Sequence, residues 1–253
     1  IFGELDFDYG GFLYVNFTGR NEWSSTFELA DNSFFYPSAS VSFVFSEVFQ
    51  MPEWLSFGKV RYGFAQVGIS PQAYATRPIF TSPSFTDGFT DGLSVPYNGV
   101  NGFAVSNTLF SADLRPEIQR GNEVGINLNF LKGLIDVDYT YYNQKSTDLL
   151  MFLPVPASSG FTSSYTNVGE LVNQGHEIYL TLNAIRKEEF TWSISLNWTK
   201  NTSEVTKLGE GIEEVSVESA FTSIGSFAIV GEPLGVFYGT AWERDANGNK
   251  LIG

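Results

Sequence analysis

Four runs between Glu117 and Lys200 alternate apolar with polar residues, and that alternation limits the fold more than any other feature of the chain. Val124, Ile126, Leu128 and Phe130 alternate with Glu123, Gly125, Asn127 and Asn129, and Ile135, Val137, Tyr139 and Tyr141 with Asp136, Asp138, Thr140 and Tyr142. Ile178, Leu180, Leu182 and Ala184 alternate with Glu177, Tyr179, Thr181 and Asn183, and Trp192, Ile194, Leu196 and Trp198 with Ser193, Ser195, Asn197 and Thr199. Period two predicts strands, because successive side chains of a pleated sheet point to opposite faces. The first pair of runs is joined by 131–134 and the second by 185–189, with a long loop between the pairs. Short turn, long loop, short turn is the wiring of a transmembrane antiparallel β-barrel.

The 253 residues contain no cysteine and a single histidine, which removes disulfide frameworks, thiolate metal sites and most histidine chemistry. No cofactor site is indicated. A net charge of −14 speaks against a nucleic-acid partner and against surface attraction to anionic lipid. No apolar run approaches the 18 or so residues of a membrane helix, which leaves barrel strands open, since each hides its apolar half in alternation. The 24 Phe, 12 Tyr and 5 Trp fit lipid-facing strands with aromatic rims. Starting at Ile1 without a signal segment, and ending at Gly253 without a terminal aromatic residue, the chain is expected to be an internal or processed piece.

Read in order, strands are expected at 1–9 and 12–20 around the turn Tyr9-Gly10-Gly11, then at 37–46 and 58–66 around a turn containing Pro52, followed by the four core runs. A further strand is expected at 236–243. The whole chain reads as part of one barrel domain, with long loops at about 21–36, 67–116, 147–173 and 201–235. A fifty-residue loop is uncommon in a compact soluble domain and ordinary on the outside of a large barrel. The rival fold is a β-sandwich with Trp in its core. Against it, the polar parity is rich in Ser, Thr, Asn and Asp, which suits a hydrated lumen, and no pattern supplies a second layer.

Several segments together resemble the SusC/RagA-like TonB-dependent transporters of Bacteroidetes outer membranes. They are Gly19-Arg20-Asn21-Glu22-Trp23-Ser24-Ser25, Pro37-Ser38-Ala39-Ser40 with Phe45-Ser46-Glu47, the strand from Lys59 to Gly68, and Leu114-Arg115-Pro116-Glu117. Asp138 to Leu150 follows, then Asn167-Val168-Gly169-Glu170 with Asn173-Gln174-Gly175-His176-Glu177, and Gly231-Glu232-Pro233-Leu234-Gly235-Val236-Phe237-Tyr238-Gly239. Ser111-Ala112-Asp113 departs from the family's usual Asn-Pro lead. The resemblance implies an all-β barrel of about 22 strands around a plug, of which this chain would be roughly eight or nine strands, without plug or TonB box. It implies a SusD-like surface lipoprotein as lid, energy from TonB–ExbB–ExbD through the plug, outer-membrane lipid around the wall, and a glycan or peptide as cargo.

Candidate contacts with substrate or lid are the loop aromatics Phe80, Phe85, Phe89, Tyr97, Phe103, Phe152, Phe161 and Tyr165, weighed against simple loop packing. Asp87-Gly88 and Asp91-Gly92 read as turns. Asp245-Ala246-Asn247-Gly248-Asn249 opens like a calcium loop but lacks a further acidic ligand, so a hairpin turn is expected. His176 shares parity with Ile178 and should face outward near the outer rim. No nucleophile–base–acid set is present, so no enzyme is expected; a barrel phospholipase lacks its Ser–His pair. The alternative to import is a non-transporting outer-membrane barrel in adhesion or secretion.

Overall fold

The computed structural model describes residues 1–27, 32–85, 89–90, 92–219 and 224–250. Four strands open the chain: β1 (Phe2–Tyr9), β2 (Leu13–Trp23), β3 (Ser33–Phe43) and β4 (Leu55–Ile69). The long segment after β4 holds β5 (Phe80–Thr81), β6 (Ser84–Phe85), β7 (Leu93–Ser94), β8 (Ala104–Val105) and β9 (Thr108–Phe110). Then come β10 (Glu117–Phe130), β11 (Ile135–Thr147), β12 (Leu150–Pro154), β13 (Ser163–Asn167), β14 (Glu170–Lys187) and β15 (Phe190–Lys207). Three shorter strands follow: β16 (Glu214–Ser219), β17 (Ile224–Ile229) and β18 (Val236–Gly239).

One open, eight-stranded antiparallel sheet, β1-β2-β3-β4-β10-β11-β14-β15, carries the fold. The four core runs form as expected, and the register places Val124, Tyr62, Val41 and Val15 in one row on one face. The same face carries Tyr141 beside Val124, and Ile178 between Tyr139 and Trp198. The other face carries Asp6, Asn16, Ser40, Gly63, Glu123 and Tyr142 in register. The apolar face is uncovered: Leu196 is 58% exposed and Phe17 48% exposed. Trp54 stacks on Phe130 at 5.9 Å near the turn end, close to where Phe190 and Trp192 project.

The strands reach further than alternation alone indicates. β2 continues to Trp23 and β3 begins at Ser33, so the connection between them is short; β4 extends at both ends. The run expected to keep parity through Ala184 is broken by a bulge between Leu182 and Ile185, and Ile185 takes the place opposite Trp192. A bulge adds one residue to one strand and so shifts every later side chain to the other face. The strand expected at 37–46 stops at Phe43, followed by a single 3₁₀ turn at Phe45–Glu47. The strand expected at 236–243 forms only as β18 and pairs with β17, away from the main sheet.

At the end of the sheet opposite the short turns, the loops fold into structure of their own. β12 pairs antiparallel with β13, and β13 runs parallel to β9, which ties the 70–116 segment to the 148–169 connection. β16, β17 and β18 form a second small sheet. Two apolar clusters lie here. Val205, Leu208, Val215 and Ala228 pack with Met151, Leu153, Leu171 and Ile212; Ala75, Leu114 and Tyr165 pack with Phe110 and Leu150. Leu171 and Val205 sit on the polar-face parity of β14 and β15, so the loop sheet folds over that side.

Candidate functional site

Two surfaces can meet a ligand: the polar face of the sheet and the loop assembly above it. On the polar face, Arg61 of β4 is opposite Gly125 of β10. A Cβ at Gly125 would stand 2.5 Å from the Arg61 guanidinium, so glycine here leaves the space through which that side chain crosses β10, and a larger residue would make it shift. Beyond the crossing, Arg61 donates to Asn127 Oδ1 and, through one Nη, to Asp138 Oδ1 at 2.7 Å and to Thr140 Oγ1. Asn127 donates in turn to Asp138 Oδ2. Nearer the turns, Asp136 accepts from Asn129 and Asn183, and Asn183 also donates to the Gly133 carbonyl. A polar ladder therefore runs across four strands on a face with no apolar layer against it.

Beside this ladder is a hollow of about 390 Å³. Its floor is made of small residues, Ser38, Ser40, Gly63, Ala65 and Gly121, and its rim carries Asn16, Gln119, Glu123 and Gln144. Asn16 donates to both Glu4 and Asp6 of β1. The hollow follows from where the sequence places glycine, alanine and serine on the polar parity of three adjacent strands.

In the loop assembly the expected aromatic residues divide. Tyr165 is 7% exposed and belongs to the core with Ala75 and Leu114, and Phe152 packs on it with centroids 4.6 Å apart. Burial pushes the Tyr165 phenol above its usual range, opposed by a backbone hydrogen bond with Gln72 and reinforced by Glu117. Phe161 follows the Ala157–Ser159 turn and is half-buried. Phe80, Phe89, Tyr97 and Phe103 are exposed, Phe89 at 96%. Phe80 is paired with Val105 and Phe85 with Leu93 through the backbone, while the Phe85 side chain lies outside what is described. Thus Phe80, Phe85, Phe89, Tyr97 and Phe103 share one loop, and Phe152 and Tyr165 another. Asp87, Gly88 and Asp91 lie outside the described residues; Gly92 has φ of +65°.

The other singled-out motifs resolve into structure. Asn167 donates to the Arg115 and Asp148 carbonyls and accepts from the Arg115 amide at 2.7 Å, so its side chain completes a β-like pairing across the loops. Gly175 leaves room for the Tyr142 ring, whose hydroxyl reaches Asn201; a Cβ would stand 2.5 Å from it. Asp245 accepts from the Asn247 and Asn249 amides and the Asn249 side chain, which closes a turn bridged by Arg244 and Lys250. Those bonds, that from the Asn249 side chain first, hold the Asp245 carboxyl below its usual pKa. His176 faces outward, its Nδ1 2.8 Å from the Tyr139 hydroxyl. Sequence reasoning missed the Arg61 crossing and the Asn167 clasp; the only signal for the first is that Arg61, Gly125 and Asp138 lie on the polar parity of their own strands, which the register then brings together.

The chain matches, over residues 1–250, the model of the family described as TonB dependent receptor-like, beta-barrel. It is 27% identical over 261 residues to TonB-dependent receptor P3 of Formosa agariphila, covering 99% of this chain and 25% of that protein. It is 34% identical over 103 residues to TonB-dependent receptor SusC of Bacteroides thetaiotaomicron, covering 40% of this chain and 10% of that one. Among solved structures, the RagAB peptide importer in its closed-closed state superposes with a TM-score of 0.79 at 24% identity, covering 99% of this chain and 28% of that chain. The siderophore receptor PirA from Pseudomonas aeruginosa superposes at 0.51 with 16% identity, over 81% of this chain and 34% of that one. The chain spans about a quarter of the length of the first of these relatives.

Proposed function

We infer function from one premise: the chain belongs to the TonB-dependent receptor-like β-barrel family. We propose that its eight-stranded sheet is an arc of the wall of a larger outer-membrane barrel. The apolar face meets lipid, the polar face meets the lumen, and the loops lie outside the cell. The whole protein imports a nutrient across the outer membrane, with energy delivered by TonB. The observation that carries this is the two-sidedness of the sheet. One face presents Leu196, Trp198, Ile194 and Phe17 bare, and the other presents the Arg61–Asp138 ladder and the Ser/Gly hollow. A sheet in a soluble domain ordinarily packs its apolar face against a second layer, and here that face carries none among the described residues.

The finer reading is a glycan or peptide cargo held between the loops and a SusD-like lipoprotein lid. The similar proteins include SusC and a RagAB peptide importer, and the exposed aromatics Phe80, Phe89, Tyr97 and Phe103 suit stacking on sugar rings or packing against a lid. The Arg61 ladder stiffens the lumen wall past which cargo would move. The cargo undergoes no chemical change.

Native purification of the whole protein from its membrane tests this. Import with a lid predicts a surface lipoprotein that co-purifies and is lost, together with uptake, when Phe80, Phe89 and Phe103 are changed together to serine. A barrel isolated without any lipoprotein, whose deletion leaves growth on every glycan and peptide source unaltered, would favour the adhesion or secretion reading instead.

A further inference from the structure

The chain is acidic overall, yet the apolar face of the sheet carries a belt of three cations, Arg120, Lys145 and Lys200, with His176 between them, at one height. Strand tilt determines that height, so it is counted from the turn ends. Arg120 lies ten residues from Phe130, Lys145 ten from Ile135 and Lys200 ten from Phe190. His176 lies eleven from Lys187, and the bulge in β14 absorbs the extra residue. All four share the outward parity: Arg120 is opposite Lys145, the row of Lys200, His176 and Tyr141 continues into Val124, and the next outward row toward the turns holds Tyr139, Ile178 and Trp198. Ten residues rise about 33 Å along a strand, or about 25 Å along the normal at a tilt of about 40°. That is the height of a barrel's apolar band, so the belt lies at its upper edge, in the headgroup layer of the outer leaflet.

The polar groups within the belt are turned the same way. Tyr62 donates its hydroxyl to Asn122 Oδ1, and Tyr141 donates to Gln174 Oε1 at 3.3 Å, so both amide oxygens are engaged and their NH₂ groups remain as donors on the outward parity. Gln66 Oε1 accepts from Arg120 Nε. The surface thus offers donors with its acceptors already used. On this face of β10, β11, β14 and β15 the acids are Glu170 and Glu204, both nearer the loop end. Only Glu170 reaches back, to Lys145 Nζ at 2.6 Å.

We propose that this belt binds the phosphorylated sugar headgroup of an outer-leaflet glycolipid. Arg120 and Lys200 engage phosphate, Lys145 contributes less because Glu170 shares it, and the Asn122 and Gln174 amides donate to sugar oxygens. Cations beside a membrane surface attract anionic headgroups locally even where the net charge repels them at long range, because the field decays within about 10 Å. The aromatic rings just below, Tyr139 and Trp198, seat the same lipid's chains. The inference rests on the membrane-spanning reading but not on import.

The test uses the full-length protein in a nonionic detergent, with bound lipid counted by native mass spectrometry. The probes are diphosphoryl lipid A, its dephosphorylated form and inorganic phosphate. Diphosphoryl lipid A should bind, the dephosphorylated form should bind at least tenfold more weakly, and millimolar phosphate should not compete. The triple variant Arg120→Gln, Lys145→Gln, Lys200→Gln should lose at least about tenfold, at roughly fivefold per fully available cation. Lys145→Gln alone should lose least, and Lys132→Gln at the turn end should change nothing. If the triple variant fails the heat-dependent gel shift of a folded barrel, Lys200→Gln alone carries the comparison. Equal binding of the two lipid forms, equal binding by wild type and variant, or displacement by free phosphate would overturn the assignment.

Discussion

Strand β15 contains two environments within one run of chain. Between Phe190 and Thr202 every side chain is exposed, including Trp198 at 47% and Leu196 at 58%. Three residues further on, Val205 is 1% exposed, inside a cluster supplied by β12, β14 and the β16–β17 sheet. Both halves have the same backbone pairing with β14. What differs is which solvent covers the apolar residues. In the upper half the described residues supply it; in the lower half none of them does, and under the proposed function lipid would. Stability of the loop half should therefore follow the rules of soluble cores, and that of the sheet half the rules of depth in a bilayer.

The largest expected effect breaks the lower half. Leu196→Arg places a cation on the lipid face near mid-depth, a cost of about 2–4 kcal/mol. The folded fraction in lipid vesicles, measured by heat-dependent gel mobility, should fall sharply, whereas Asn197→Arg on the polar face should leave it nearly unchanged. Equal losses would remove the distinction between the faces. In the upper half, Leu208→Ala removes a buried side chain and should cost about 2–4 kcal/mol. The loss should be local: limited proteolysis should cut the 205–235 region faster while the strands stay protected.

Asn167→Ala should come next, about 1–2 kcal/mol, because it leaves the Arg115 amide and two carbonyls without their partner. Faster hydrogen exchange at Arg115, with β14 unaffected, would report it. Arg61→Ala should cost about 1 kcal/mol, since Arg61 and Asp138 are both partly open to solvent and screened. A double-mutant cycle with Asp138→Asn in urea isolates that coupling. Smallest is the Asp245 turn. Its folded carboxyl titrates lower than in an unfolded chain, so its contribution is present above the ordinary aspartate range and is lost as pH falls through the folded value. Backbone amide shifts of Asn247 and Asn249 should move together in that acid window, and Asp245→Ala should abolish the movement.

The sheet half was legible in the sequence because it obeys one rule over long stretches. Val124 to Phe130 and Ile135 to Tyr141 alternate without interruption, and the structure pairs them residue for residue. Legibility stops where one residue is added. Nothing in Leu182-Asn183-Ala184-Ile185 marks the bulge, because each is acceptable on either face at a turn end. The loop half was opaque for a different reason. The strands β9, β12 and β13 are three to five residues long, too short for periodicity to register, and β13 is held on one side by β9, which comes from a different loop much earlier in the chain. Tyr165 shows the consequence: beside Phe152 it reads as one more loop aromatic, and only Ala75 and Leu114, brought from a different loop, make it core. Arg61 and Asp138 were visible as charges on one parity, but their contact depends on the register that sets Gly125 between them.

The central claim is that one face of this sheet meets lipid and the other water. The chain contains no cysteine, so single cysteines can be placed at each position from 192 to 199 of the full-length protein and spin-labelled in bilayers. Collision with oxygen, which concentrates in lipid, should be high at 192, 194, 196 and 198. Collision with a water-soluble nickel complex should be high at 193, 195, 197 and 199. Accessibility to the nickel complex at every position, or to neither reagent at the even positions, would contradict the account.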